Sequence, residues 1–238
     1  GLNTASFNAG ALMGTLTAAS LLAWLGSWEK VLLALSACSL AVFLLCVLEL
    51  EEFPLAGETG GESEEYTMAD GVRDPINWLM PLVYSGLLFS YLAVFSLFPL
   101  IPGFAVSVDS LVAVVLAAGL AGSAGGLVLA RRFPRRLPLI RCAGLGLTPS
   151  IALMVFTESP VLAYASACAA GFFIYMAVPV VVTLAQELPG MTAKRVTVIF
   201  SMFWSISYAI ATVLMYTAGR IADHTQNVAT AAVFAVVC

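Results

Sequence analysis

The strongest constraint on this chain is a row of long, almost uncharged apolar runs. Seven fall at about 4–25, 31–50, 76–101, 108–130, 137–157, 161–187 and 196–218, and an eighth starts at 227–238. The hydrocarbon core of a bilayer is about 30 Å thick and takes roughly 20 residues of α-helix at about 1.5 Å each. None of the runs shows the period-two alternation of a strand. In lipid a helix also satisfies its own backbone donors and acceptors. Composition points the same way: 61% of residues are hydrophobic and 10% charged, against about 45–50% and about 25% in a soluble domain. That surplus exceeds what one aqueous core can bury. The predicted class is an all-α membrane protein with seven full transmembrane helices and part of an eighth. The chain opens at Gly1 near the start of one span and stops at Cys238 inside another, so it reads as a fragment.

Charge is unevenly placed. Residues 49–74 hold nine of the fourteen acids and one of the ten basic residues, so the rest of the chain is net positive although the whole is −4. Near the span ends, one side collects Arg73, Arg131, Arg132, Arg135, Arg136, Arg141, Lys194 and Arg195, and the other only Lys30 and Arg220. Basic residues concentrate in cytoplasmic loops. The bias places the connections at 51–75, 131–136 and 189–195 in the cytoplasm, and the first span runs from cytoplasm to exterior. Residues 51–75 (EEFPLAGETGGESEEYTMADGVRDP) are acidic, contain glycine and are poor in large apolar groups. They read as a flexible solvated tether, with an acidic regulatory or partner-binding role as the alternative. The arginines cluster only between apolar runs, which gives no nucleic-acid interface. Cys38, Cys46, Cys142, Cys168 and Cys238 lie in apolar stretches with neither disulfide nor zinc spacing, and read as small apolar fillers. No metal site or cofactor motif is expected.

Three local patterns carry a family resemblance. LARRFPRRLPL at 129–139 is similar to the cytoplasmic loop motif Gly-x-Leu-Ala-Asp-Arg-x-Gly-Arg-Arg of the major facilitator transporters. Arg132, Arg135 and Arg136 match its basic positions, Arg131 stands at its acidic position, and Leu127 and Pro134 stand at its glycines. A plain positive anchor is the alternative reading of Arg131, Arg132, Arg135 and Arg136. PVVVTLAQELPGMTAKR at 179–195, followed by an aromatic span ending GRIAD, resembles the family's tenth and eleventh spans. GSWEK at 26–30 resembles the tight outer turn between its fifth and sixth. The resemblance covers the whole chain and implies a major facilitator-type helix bundle containing spans five to twelve. It implies that residues 1–50 are the last two spans of an N-terminal half. Residues 51–75 become the acidic cytoplasmic linker, and 76–238 a C-terminal six-helix half built as two inverted three-helix repeats.

Transporters of this kind bind solute near the midplane, between repeats. A cavity wall should therefore show as a polar or aromatic stripe, since side chains at i, i+3, i+4 and i+7 share a helix face. The 196–218 span carries Ser201, Trp204, Ser205, Tyr208 and Thr212 on one stripe. The 161–187 span carries Tyr164, Cys168, Gly171, Tyr175, Pro179, Thr183 and Gln186, with Tyr175 central. The 76–101 span carries Asn77, Pro81, Tyr84, Tyr91 and Phe95. Their polar tips need partners that lipid tails do not supply. The expected solute-binding set is Tyr84, Tyr91, Tyr175, Ser201, Trp204, Ser205 and Tyr208; interhelical hydrogen bonding is the alternative. Ala118, Gly122 and Gly126 recur every four residues, as do Gly10 and Gly14, a spacing that lets helices approach closely.

The expected function is secondary transport of a small solute by alternating access, as permease or exporter, in the cell membrane. The expected partners are the lipid bilayer, the solute and a coupling ion. A receptor or scaffold without turnover is the alternative. Catalysis is not expected: the single histidine, His224, lies in a loop region, and no nucleophile–base pair or metal-ligand spacing occurs. Asp109, Glu158 and Glu187 stand at span ends, so no carboxylate falls mid-membrane within these spans. A phosphate-cradling glycine loop is absent too.

Overall fold

The computed structural model describes residues 2–49, 66–188 and 190–237, and all regular structure among them is helical. Helices α1 (Leu2–Leu25) and α2 (Trp28–Glu49) are followed by a short α3 (Met68–Arg73) and by α4 (Ile76–Ser96). Then come α5 (Val108–Arg132), α6 (Arg136–Phe156), α7 (Pro160–Gln186), α8 (Ala193–Thr225) and α9 (Val228–Val237). Among the described residues six helices are long and apolar enough to cross a membrane: α2, α4 with the 3-10 turn after it, α5, α6, α7 and α8. Helix α1 has 24 residues, also membrane length, and α9 has 10. This is an integral multi-pass membrane protein, as its composition requires.

The chain divides into two compact units, residues 13–64 and residues 1–12 with 65–238. In the smaller unit the chain reverses between α1 and α2 at Gly26, whose φ of +74° suits a residue without Cβ. The membrane-spanning stretch of α2 buries none of its residues. A Cβ built at Gly10 or Gly14 meets no atom within 4 Å, so these glycines make no close helix contact among the described residues.

The larger unit packs around a core contributed by α4–α9. The principal pairings are α5 with α7, α6 with α7, α4 with α8, α8 with α9, and α6 with α9. Exchanging α4 with α7, α5 with α8 and α6 with α9 turns the α5–α7 pair into α8–α4. It also turns α6–α7 into α9–α4, which is likewise in contact. The same exchange turns α8–α9 into α5–α6, which is not among these pairings, so the two groups of three helices pack differently.

The region 51–75 is more ordered at its end than a tether. Residues 51–65 lie outside the described part. From Tyr66 onward the backbone forms α3, started by a capping box in which Thr67 and Asp70 bond reciprocally. The Thr67 hydroxyl and backbone N–H hold the Asp70 carboxyl below the ordinary carboxylate range. Helix α3 rests on α8: a Cβ at Gly71 would stand 2.6 Å from Val198 Cγ1. Asp74 pairs with Arg195 at 3.1 Å, and the Arg195 guanidinium lies 5.1 Å from the centre of the Tyr66 ring. Asn77 Nδ2 donates to the Gly71 carbonyl at 2.9 Å and to the Tyr66 hydroxyl at 3.2 Å. The composition of 51–75 hid this strap because its anchors, Asn77 and Arg195, lie outside the segment.

Helix α8 also extends past the expected span, to Thr225, where Gln226 in the left-handed region turns the chain into α9. The described cysteines, Cys38, Cys46, Cys142 and Cys168, are free and exposed. Exposed side chains are not the buried fillers expected of them.

Candidate functional site

Three helices of the larger unit bring the expected aromatic residues together. Tyr84 of α4 is buried and meets the Trp204 ring of α8 edge-on at 5.4 Å. Trp204 and Tyr208, one turn apart on α8, have ring centres 6.2 Å apart. Deeper in the unit, Tyr91 of α4 meets Tyr175 of α7 edge-to-face at 6.1 Å and rests on Phe95 at 4.5 Å. The two groups are continuous, because the phenols of Tyr84, Tyr91 and Tyr208 lie within electrostatic range of one another. Tyr175 is in range of both Tyr84 and Tyr91.

The wall is graded in exposure. Tyr84 and Tyr175 are buried and Tyr91 half-buried, whereas Trp204 is 37% and Tyr208 54% exposed. Ser201 and Ser205 share the exposed face of α8 with them. The result is an open aromatic wall bearing hydroxyls, backed by a packed interior. Phe203 forms much of that backing. It is 1% exposed and touches Tyr84 at 4.9 Å and Trp204 at 5.0 Å. Sequence reasoning passed over Phe203 because a phenylalanine in an apolar span carries no polar signal. Ser207 fixes α8 against α4 by donating to the Pro81 carbonyl at 3.3 Å.

The α7 stripe divides. Gly171, Tyr175 and Pro179 all face α5. A Cβ at Gly171 would overlap the Val115 carbonyl, and one at Gly126 would stand 2.9 Å from Pro179 Cγ. The expected close approach at Gly122 and Gly126 is present, against the backbones of Phe172 and Met176. Gly119 joins them: any Cβ there would overlap the Tyr175 ring. The three-then-four spacing of 119, 122 and 126 is a helix-face signal that a strict every-four reading misses. Tyr164 bonds Ser110 of α5 at 2.7 Å. Tyr175 is thus the member of this stripe whose ring joins the aromatic cluster.

Among the loop arginines, Arg131, Arg132 and Arg135 are exposed. Arg136 is engaged: it donates to the carbonyls of Ala130 and Phe133 and makes a two-pronged pair with Glu187 at the end of α7, with Nε to Oε2 at 2.9 Å. The pair holds the Glu187 carboxyl below its ordinary range. A separate cavity of about 170 Å³ between α4, α6 and α9 contains none of the expected site residues and is mainly apolar, with Ser90 and Thr148 in its lining. Among the described residues no cluster of three or more metal-ligating side chains occurs.

Comparison with known proteins agrees with this architecture. The search of curated proteins gave no match. Among solved structures, the E. coli fucose:proton symporter, as a point variant, superposes with a TM-score of 0.62 at 16% identity. The alignment covers 83% of this chain and 50% of the symporter, so the chain spans about half the length of that relative. At that identity the likeness speaks for the fold alone. The sequence model of the Major Facilitator Superfamily matches residues 1–212, and the chain belongs to that superfamily.

Proposed function

We propose that this chain is part of a secondary transporter that moves a small solute by alternating access. In this reading the aromatic wall of α4, α7 and α8 is one face of the solute site. The observation that carries the reading is the convergence of four phenols and an indole from three helices, with Trp204 and Tyr208 left open. Packing alone is served by Phe203, Phe89 and Phe98, which are fully buried and need no polar partner. A tyrosine or tryptophan placed away from the bilayer interfaces requires a hydrogen-bond partner, and solute with its water supplies one. A coupling ion fits the reading, since the structural relative is a fucose:proton symporter. Within the described spans the acids stand at helix ends, so these spans offer no buried carboxylate for proton coupling.

In the full-length protein reconstituted in liposomes, Trp204→Ala should lower solute flux at least tenfold while insertion and yield stay near wild type. Unchanged flux sinks the assignment of the wall. Absence of any solute-dependent flux in the wild type favours the receptor or scaffold reading.

The basic bias places the Arg131–Arg136 loop in the cytoplasm of a cell whose plasma membrane holds the protein. In a background without native cysteines, a cysteine replacing Pro134 should react only with membrane-permeant thiol reagents in intact cells. One replacing Ser159 should react with impermeant reagents. The opposite pattern reverses the orientation.

A further inference from the structure

Tyr175 presents a contradiction that a ligand resolves. The residue is 4% exposed, yet its hydroxyl has no hydrogen-bond partner of regular geometry within the protein. The Tyr91 hydroxyl interacts with it from outside regular hydrogen-bond geometry. A buried hydroxyl left unpaired costs about 1–3 kcal/mol. The ring has no freedom to withdraw, because it sits directly on Gly119, where even a methyl group would overlap it. Helix α7 reinforces the position through the neighbouring close contacts at Gly122, Gly126 and Gly171. Pro179, four residues on, lacks the N–H that would bond the Tyr175 carbonyl, so the backbone here also loses its regular donor. Residue 175 therefore concentrates unmet hydrogen-bonding capacity at the inner edge of the aromatic wall.

The chemistry of the surrounding wall says what would meet it. The groups on α4, α7 and α8 that meet one another are phenols and an indole, with the exposed Ser201 and Ser205 on α8 beside Trp204 and Tyr208. Hydroxyls both donate and accept, and ring faces suit an apolar face of a solute. The flanking charges of the described spans, Asp74, Arg195, Arg136 and Glu187, are paired at the helix ends. Among the described residues, the wall formed by Tyr84, Tyr91, Tyr175, Ser201, Trp204, Ser205 and Tyr208 carries no charged side chain.

Resting on the site reading above, we propose that the Tyr175 hydroxyl hydrogen-bonds a hydroxyl oxygen of a neutral, polyhydroxylated solute with one apolar face. Gly119 is the positioning residue that seats the Tyr175 ring for this contact.

The test uses the full-length protein in liposomes. The probes are neutral hexoses and their uronic-acid and amino-sugar counterparts, which keep the ring shape and add a negative or positive charge. Binding is read by quenching of tryptophan fluorescence. Neutral hexoses should bind in preference to both charged sets. Tyr175→Phe should weaken that binding about tenfold, the worth of one hydrogen bond. Gly119→Ala should weaken it by a similar factor. The double variant should be no weaker than either single one, because both remove the same contact. A structural lesion at Gly119 would instead add to the effect of Tyr175→Phe, and additivity overturns the positioning role. Preference for a charged sugar, or binding of none of the probes, overturns the solute class. Wild-type affinity in Tyr175→Phe overturns the role of the hydroxyl. If Trp204→Ala loses affinity while Tyr175→Phe keeps it, this inference fails and the site reading stands. If neither variant changes binding, both fail.

Discussion

The α5–α7 and α4–α8 pairs hold the larger unit together side by side, yet they are built from opposite materials. Between α5 and α7, glycines at 119, 122, 126 and 171 bring backbone against backbone or ring. Between α4 and α8 the contact is made by large side chains, with Tyr84 against Phe203 and Trp204. In lipid, apolar helices gain little from hiding apolar surface, so association rests on dispersion and shape. The glycine pair gains that dispersion through closeness and leaves no room for error. The aromatic pair gains it through area, and part of that area, at Trp204 and Tyr208, stays exposed. One seam is suited to hold and the other to hold while presenting a surface.

The largest effect should come from thickening the glycine seam. Gly122→Leu drives a side chain into the Phe172 carbonyl and should abolish the folded, monodisperse protein in detergent size-exclusion. A well-behaved variant with an unchanged melting midpoint would show that the seam has slack. Next in size is Phe203→Ala on the aromatic seam. Removing this buried ring leaves a cavity worth about 3 kcal/mol, so the thermal midpoint should fall while the protein stays assembled. If Phe203→Ala proves as lethal as Gly122→Leu, the distinction between the seams collapses.

The charged ties at the loop ends should matter less. A double-mutant cycle of Asp74→Asn and Arg195→Gln should give a coupling near 1 kcal/mol that shrinks as salt rises, since the pair is only partly buried. A coupling indifferent to salt would mean that the Tyr66 ring, rather than the ion pair, holds the strap. The smallest effect belongs to Glu187, whose carboxyl is half exposed. Its folded-state pKa is lowered by the hydrogen bonds from Arg136. The stabilisation is therefore present above the ordinary value of 4.5 and is lost as pH falls through the folded value below it. The stability difference between wild type and Glu187→Gln should be small and constant from pH 6 to 8, in line with roughly 0–1 kcal/mol for an exposed pair. It should fade on further acidification; a difference that grows in acid contradicts the assignment.

The spans were legible because lipid demands length and apolarity, and both are written residue by residue. The aromatic candidates were legible for a related reason: a phenol or indole far from the interface stands out against leucine and valine. What stayed hidden depended on partners distant in sequence. Gly119 means little until the Tyr175 ring is laid on it, and Phe203 looks like any apolar filler until Tyr84 and Trp204 close around it. The strap was hidden by composition, since a stretch rich in Glu and Gly reads as solvated unless Asp74 is known to meet Arg195, 121 positions away.

That strap also sets a length. Residues 50–65 separate Glu49, the last residue of α2, from Tyr66, where the strap begins. An extended chain reaches at most about 3.3–3.6 Å per residue, so this stretch has a reach on the order of 60 Å. With Tyr66 to Asp74 unpinned from α8, the reach would grow by on the order of 30 Å. The Asp74–Arg195 pair, the Tyr66 ring, the Asn77 bonds and the seat of Gly71 on Val198 therefore decide how short a leash the connecting segment is.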